Sequence, residues 1–561
     1  MASSESLDSG PLRVIGEPST PSVKHTTFFQ QTLPRIFWRS PVLFAIAFLL
    51  RLPGSGRPAV GDENFAVGAV ERTLEGIVQE LVSRDAHPPL YFFLLQLWGL
   101  VSQELWWLRM LSVILGALTC VLVYQIGSVA FGRDVARYAF LFVTLSPLLI
   151  FISQYLRSYA LSVFLSAAIV FIVIRILQAE ESRTFLTRLA VYMVLLVLAV
   201  YTFYGSFFFV LGINLFLLGY YATREPRRLA PVVLSLVIAG AAYLPWLPLQ
   251  IAQMERVYSG VSASTPVLKS AKIGLYVGEI HLGALAKAFF ALLQLDDRYT
   301  SAVRFTAQYP ASWLAVGALA GAVAILTLII AGSRRLKAIQ RIDGFVYMVV
   351  IVSVLPPLAA SALSVAGDLG LLRPIAVNLR YFGESAAMFT LLIAGSAASL
   401  RPRILGRAAG IGICLILAVQ LPYLYRYPFN DQSRVFKILD QYPDTRLAIS
   451  FPMSVEEFLD AAGREEFRRR YEHLVLSHER EEHEVDARIE EEIEAITRHD
   501  RFVYFQVTIA EWLILLPASF RHFESVMNRH SYFKAQGHRL SDILTVEVYE
   551  RRASASPGPR P

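Results

Sequence analysis

Charge is what this chain has least of, and the shortage is uneven. Asp, Glu, Lys and Arg make up 17% of its 561 residues, against about 25% in an ordinary soluble domain. Long apolar segments alternate with short basic ones, and only the last stretch reads like a soluble domain. A wholly soluble globular protein is therefore excluded. Cysteine is scarce too. Cys120 and Cys414 are the only two, and both fall inside apolar segments, so they read as small buried hydrophobes and not as a disulfide scaffold or thiolate metal site. The internal repeats that mark many transporters are missing. The segment from Met1 to Phe29 lacks an apolar core, which argues against a cleaved signal peptide and for a disordered cytoplasmic tail over 1–36.

Apolar residues are abundant. They make up 55% of the chain, and the mean hydropathy is +0.48. A spanning helix needs about 20 mostly apolar residues. That rule selects 37–53, 106–131, 135–152, 160–178, 189–204, 206–221, 231–251, 312–332, 344–366, 381–400 and 408–426, about eleven spans. The pair 189–204 and 206–221 reads as a tight hairpin or as one bent helix. The run Pro88–Val101 is too short to span comfortably, so it is expected to lie at the surface.

The formal net charge is +7, yet nucleic acid is not an expected partner, because the basic residues sit in clusters between spans. With the N-terminus inside, Arg133/Arg137, Arg175/Arg183/Arg188, Arg224/Arg227/Arg228, Arg334/Arg335/Lys337/Arg341 and Arg401/Arg403/Arg407 all fall on the cytoplasmic side, as the positive-inside bias requires. Counting 88–101 as a span would move the later clusters outside. This topology gives two long outer loops, 54–105 and 252–311, within a membrane domain over 37–426. The soluble domain over 427–561 then lies outside. There the strand-like runs Arg446–Phe451, Arg501–Val507 and Ile543–Tyr549, with a charged helical stretch from Glu456 to Asp500, predict a small α/β fold.

The candidate chemistry lies on the outer side. Asp62 and Glu63 follow the first span and precede an amphipathic helix over Phe65–Val82. Such a pair can supply a general base, or it can cap the helix that follows. His87 sits before two prolines, able to donate to a phosphate or to cap a surface helix. Arg157, between Tyr155 and Tyr159, and Arg380, beside Tyr381, are outer arginines that the inside bias does not explain. Each can bind an anionic headgroup or snorkel to an aromatic belt. Arg373 allows the same two readings. Charges at the outer edges of spans suit a substrate with a lipid tail and an anionic head better than they suit a solute pathway.

In order, the chain carries Gly61-Asp62-Glu63, His87-Pro88-Pro89-Leu90-Tyr91, Leu108-Arg109-Met110-Leu111-Ser112, Ser153-Gln154-Tyr155-Leu156-Arg157-Ser158-Tyr159 and Leu379-Arg380-Tyr381. This set resembles the GT-C superfamily of polyprenyl-phosphate-sugar-dependent glycosyltransferases, in the branch of protein O-mannosyltransferases and lipid A aminoarabinose transferases. The likeness is good over roughly 40–180 and thin afterwards. It implies an enzyme of the cytoplasmic membrane with its active site facing outward. That enzyme would transfer a sugar from a polyprenyl-phosphate donor to an extracytoplasmic acceptor hydroxyl. The resemblance implies that Asp62 is the base, with Glu63 in support. It gives His87, Arg157 and Arg380 to the donor phosphate, and makes Tyr159, Tyr381 and Arg109 supporting residues. His87 stands where many relatives have another basic residue, and Tyr155-Leu156 where many have an acid. No cofactor is expected; a divalent cation is the alternative. A lipid-linked sugar transporter and an envelope assembly scaffold are the rival readings.

Overall fold

The computed structural model describes residues 41–57, 59, 62–256, 335–368, 379–426, 432–451, 455–458, 461–476, 482–507, 516–539 and 544–551. The expected tail over 1–36, the span over 312–332, Arg373, the Asp62 side chain and almost all of loop 252–311 lie outside them.

Apolar helices dominate the first 426 residues. Five of those described are long and apolar enough to cross a membrane: Leu105–Ala130 (α5), Tyr159–Leu177 (α8), Ser182–Val200 (α9), Ser206–Arg224 (α10) and the first nineteen residues of Phe345–Asp368 (α13). Two bent pairs raise the number to seven. The chain is thus a polytopic integral membrane protein. The first expected span contributes Pro41–Leu49 (α1), and the last two contribute Gly383–Ser399 (α14) and Arg403–Arg426 (α15). Helices α9 and α10 are separate, joined at 201–205, which decides for two segments over one bent helix.

The first bent pair shapes the site. Arg133–Leu145 (α6) and Pro147–Gln154 (α7) meet at 56°. Pro147 has no N–H to continue the helical ladder, and the Ser146 side chain instead accepts from Leu149 N at 3.2 Å and restarts it. The second pair, the helical run Pro226–Tyr243 and Leu247–Arg256 (α12), meets at 58°. Its first member includes Leu229–Tyr243 (α11).

The segment 54–105 is helical but broken. The single helix expected over Phe65–Val82 is two, Asp62–Val70 (α2) and Leu74–Arg84 (α3). Thr73 causes the break: its side chain accepts from Gly76 N at 3.1 Å and caps the second helix, a stop-and-restart signal that outweighs periodicity. The short run after the two prolines forms a ten-residue helix, Leu90–Gly99 (α4), half the length a span needs.

One charge is buried within the first expected span. Arg51 donates to Ser153 Oγ at 3.1 Å and to the carbonyls of Ala47 and Val143. Space for it comes from Gly116, where a Cβ would stand 2.0 Å from Ser153 Oγ and 3.0 Å from Arg51 Nε.

The C-terminal region folds as an α/β domain. Its sheet runs β2-β1-β3-β5-β4, with β1 Leu447–Phe451, β2 Glu472–Val475, β3 Arg501–Val507, β4 Tyr532–Arg539 and β5 Leu544–Arg551. The first three are parallel, and β3-β5-β4 is antiparallel. Helices pack on both faces, around Val503 and Phe467 on one and Tyr504 and Phe523 on the other. The three strand-like runs seen in the sequence are the three central strands. The edge strands β2 and β4 are not among the expected runs, and β2 interrupts the stretch 456–500, whose charge pattern predicts a helix. Edge strands carry charge that blocks further pairing, so Glu472-His473-Leu474-Val475 and Tyr532–Arg539 lack the apolar alternation of a strand.

Candidate active site

Two buried carboxylates organise the segments flanking α2 and α3. The first is Glu63, 0% exposed, in the opening turn of α2. Arg57 donates to it at 2.7 and 3.2 Å. Arg109, one turn into α5 and itself fully buried, donates at 2.9 and 3.2 Å. The backbone N–H of Leu156 adds a fifth bond at 2.8 Å. Burial works to raise the Glu63 carboxyl, but the charges of Arg57 and Arg109 and these hydrogen bonds overcome it and hold the group below the usual carboxylate range. Arg109 also donates to the Ser55 carbonyl at 2.9 Å and to that of Arg57. Glu63 is therefore a clamp, fastening the start of α2 to α5 and to the turn before Arg157.

The second is Asp85, at the end of α3. Arg157 grips it with a two-toothed ion pair at 2.7 and 3.1 Å. His87 Nδ1 lies 2.5 Å from Asp85 Oδ1 and 2.8 Å from Arg157 Nη2. That nitrogen either donates to the carboxylate or accepts from the guanidinium, according to its tautomer. Burial again pushes upward, and His87 and Arg157 hold the Asp85 carboxyl well below the usual range. Arg157 is only 2% exposed, and its guanidinium lies over the rings of Phe65 and Phe92.

From His87 the network continues toward α14. Tyr159 Oη lies 3.4 Å from His87 Nε2 and accepts from Arg380 Nε at 3.2 Å. The Arg380 guanidinium lies 5.5–5.9 Å from the ring centres of Tyr155, Tyr159 and Tyr381. Phe203 completes the group, 5.4 Å from Tyr159, 5.7 Å from Tyr381 and stacked on His87 at 6.2 Å. Helix α12 braces the far side. Gln253 donates to the His87 carbonyl at 3.1 Å, and Arg256 donates to that of Asp85 at 2.7 Å.

His87, Arg157, Tyr159, Arg380 and Tyr381, far apart in sequence, thus form one cluster. His87, with 13% of its side chain exposed, joins Arg380 and Tyr381 as its accessible members, while Arg157, Tyr159 and Asp85 lie deeper. Asp62 opens α2 beside the Glu63 clamp. Among the described residues no group of three His, Cys, Asp or Glu side chains is arranged to hold a metal ion. An apolar cavity of about 330 Å³ is lined by Pro89 and Leu90, which follow His87 in the chain, by Tyr201, two residues before Phe203, and by Phe93, Val197 and Trp246 among others.

Sequence reasoning missed Asp85 as the residue that joins Arg157 to His87; its place two residues before His87 was the available signal. Glu384, buried in the first turn of α14, was missed as well. Its signal was an acidic residue inside an apolar span.

No family model matches the chain, and no curated protein matches its sequence. Solved structures do match. The chain is similar to ArnT from Cupriavidus metallidurans bound to undecaprenyl phosphate, with 10% identity over 93% of this chain and 100% of that one, at a TM-score of 0.46. ArnT from the same organism in the apo state matches with 11% identity over 91% and 97%, at 0.45. The Archaeoglobus fulgidus oligosaccharyltransferase tethered with an acceptor peptide matches with 11% identity over 89% and 73%, at 0.44.

Proposed function

We propose that the chain is a membrane glycosyltransferase that moves a sugar from a polyprenyl-phosphate donor to an acceptor hydroxyl on the extracytoplasmic side, with inversion at the sugar carbon. The observation that carries this reading is the meeting of His87, Arg157 and Arg380 around Tyr159. A cationic cluster with a partly accessible edge suits a phosphate. The neighbouring apolar cavity suits the first part of an isoprenoid tail.

The step is a single displacement. The Asp62 carboxylate takes the proton of the acceptor hydroxyl as that oxygen bonds to the anomeric carbon. The bond from that carbon to the phosphate oxygen breaks, and its electron pair leaves with the polyprenyl monophosphate. Arg380 and His87, at the accessible edge, carry the growing charge on the leaving group. Arg157 adds its field and, through Asp85, orients His87. Losing one such contact commonly costs about 10²–10³ in rate. Glu63 supports the reaction by fixing the α2 turn that presents Asp62. A monophosphate leaving group can be served by these side chains, so no divalent cation is required. The basic clusters support an inside N-terminus, a membrane domain over 37–426 and an outer domain over 427–561.

The test is sugar transfer from a polyprenyl-phosphate donor by purified protein in nanodiscs. Asp62→Asn is expected to abolish the covalent product while leaving the protein folded. Full transfer by that variant would overturn the assignment of the base. Movement of donor across the bilayer without any covalent product would overturn the transferase reading in favour of a transporter.

A further inference from the structure

Glu384 is a buried carboxyl that the proposed displacement does not use. It lies in the first turn of α14, four residues after Arg380, and is 4% exposed. Ser162 of α8 and Ser206 of α10 both donate to its Oε1, the second at 2.5 Å. Among the described residues it makes no ion pair; its side-chain hydrogen-bond partners are serines. A carboxyl here carries a desolvation cost that a leucine would avoid, so packing alone does not explain it.

The same three segments build the aromatic part of the site. Ser162 follows Tyr159 by three residues, Ser206 follows Phe203 by three, and Glu384 follows Tyr381 by three. Residues three apart share one face of a helix and eclipse in a 3₁₀ turn; Arg380 and Tyr381 lie in the 3₁₀ turn Leu379–Phe382, and Ser206 N donates to the Phe203 carbonyl at 3.1 Å in the turn that opens α10. The segments therefore form two layers. Tyr159, Phe203 and Tyr381 pack ring to ring at 5.4–5.9 Å. One turn further along the chain, Ser162, Ser206 and Glu384 are joined by hydrogen bonds to a single oxygen.

We propose that Glu384 is a positioning residue for Arg380: by tying the first turn of α14 to α8 and α10, it holds the guanidinium at Tyr159, where it meets the donor phosphate. The idea rests on the reading of Arg380 given above. The tie needs one oxygen able to accept two hydroxyl hydrogens, which a glutamine amide also offers. It does not need an acid. That separates positioning from proton transfer, which glutamine cannot perform.

The experiment measures the Kd of a long-chain polyprenyl monophosphate for full-length protein in nanodiscs. Glu384→Gln is expected to stay within about three-fold of the native protein. Glu384→Ala is expected to bind on the order of 10- to 100-fold more weakly, as displacement of a binding group by about 1 Å can do. The double variant Glu384→Ala/Arg380→Ala should bind no more weakly than Arg380→Ala, because residues acting through one contact are not additive. A purely structural glutamate would give additive losses. Should Glu384→Ala not fold, Ser162→Ala/Ser206→Ala removes the same tie from the other side and takes its place. Native affinity in Glu384→Ala, additive losses, or a Glu384→Gln as weak as Glu384→Ala would each overturn the proposal. If Arg380→Ala itself binds as the native protein does, the reading of Arg380 as a phosphate ligand fails instead.

Discussion

Glu63 and Asp85 are two buried carboxylates on neighbouring helices, each facing an arginine that is almost wholly buried, yet they do different things. Glu63 receives five hydrogen bonds, from Arg57, Arg109 and the Leu156 backbone. Every direction in which it can accept is used, and fully buried Arg109 is what it holds. Asp85 receives a comparable grip from Arg157 but shares it with His87, whose other ring nitrogen faces Tyr159 and, beyond it, Arg380. One node is closed and the other leads to an accessible edge. A saturated ion pair fixes chain segments. An ion pair that hands part of its bonding to a histidine builds a site.

The comparison can be broken at its strong end first. Glu63→Gln removes the counter-charge of Arg109, and leaving a buried charge unpaired costs about 3–5 kcal/mol. Thermal unfolding in detergent should show a large drop, with little folded protein recovered. A melting curve like the native one would show that Glu63 is no clamp. Asp85→Asn also takes the counter-charge from a buried arginine, Arg157, but Asp85 answers one arginine and Glu63 answers two, so its folding loss is expected to be the smaller of the two. Its effect on sugar transfer should be on the order of 100-fold, because His87 loses its orientation. Equal folding losses in the two variants would erase the distinction.

Arg380→Lys tests the accessible edge. Lysine keeps the charge but loses the planar stacking on the tyrosines and the Nε bond to Tyr159. Stacking of this kind is worth about 1–2 kcal/mol, so binding of a polyprenyl phosphate should weaken by about ten-fold with the melting temperature unchanged.

The smallest effect is that of pH. Both carboxyls titrate below their unfolded values. Their stabilisation is therefore fully present above the unfolded values, near pH 4, and is lost only as pH falls from there through the lowered folded values. The melting temperature should not change on their account between about pH 8 and 5, should fall below about 4, and should fall less steeply in Asp85→Asn.

Much of the architecture was legible because a bilayer writes a strong one-dimensional signal. Twenty apolar residues in a row need no tertiary context, and the ten residues from Leu90 to Gly99 were recognisably too few. In the C-terminal domain the legible strands were β1, β3 and β5, the three inside the sheet, where β-branched and aromatic residues are frequent. The edge strands β2 and β4 have charged sequences and were not. The break at Thr73 was also missed, since one capping hydroxyl redirects a helix whose periodicity runs on.

For the site, the sequence by itself determined the chemical inventory: an acidic pair after the first span, a histidine before two prolines, and arginine–tyrosine pairs at the ends of α8 and α14. Only the tertiary structure decided how these are joined. Whether Arg157 stands alone or grips Asp85, and whether Glu63 is available or occupied, depends on contacts between residues 72 and 93 positions apart. The same holds for Glu384, which meets serines 222 and 178 positions away. Hydropathy is a sum over neighbours in the chain. Hydrogen bonding is a relation between neighbours in space, and for a buried charge that relation sets its role.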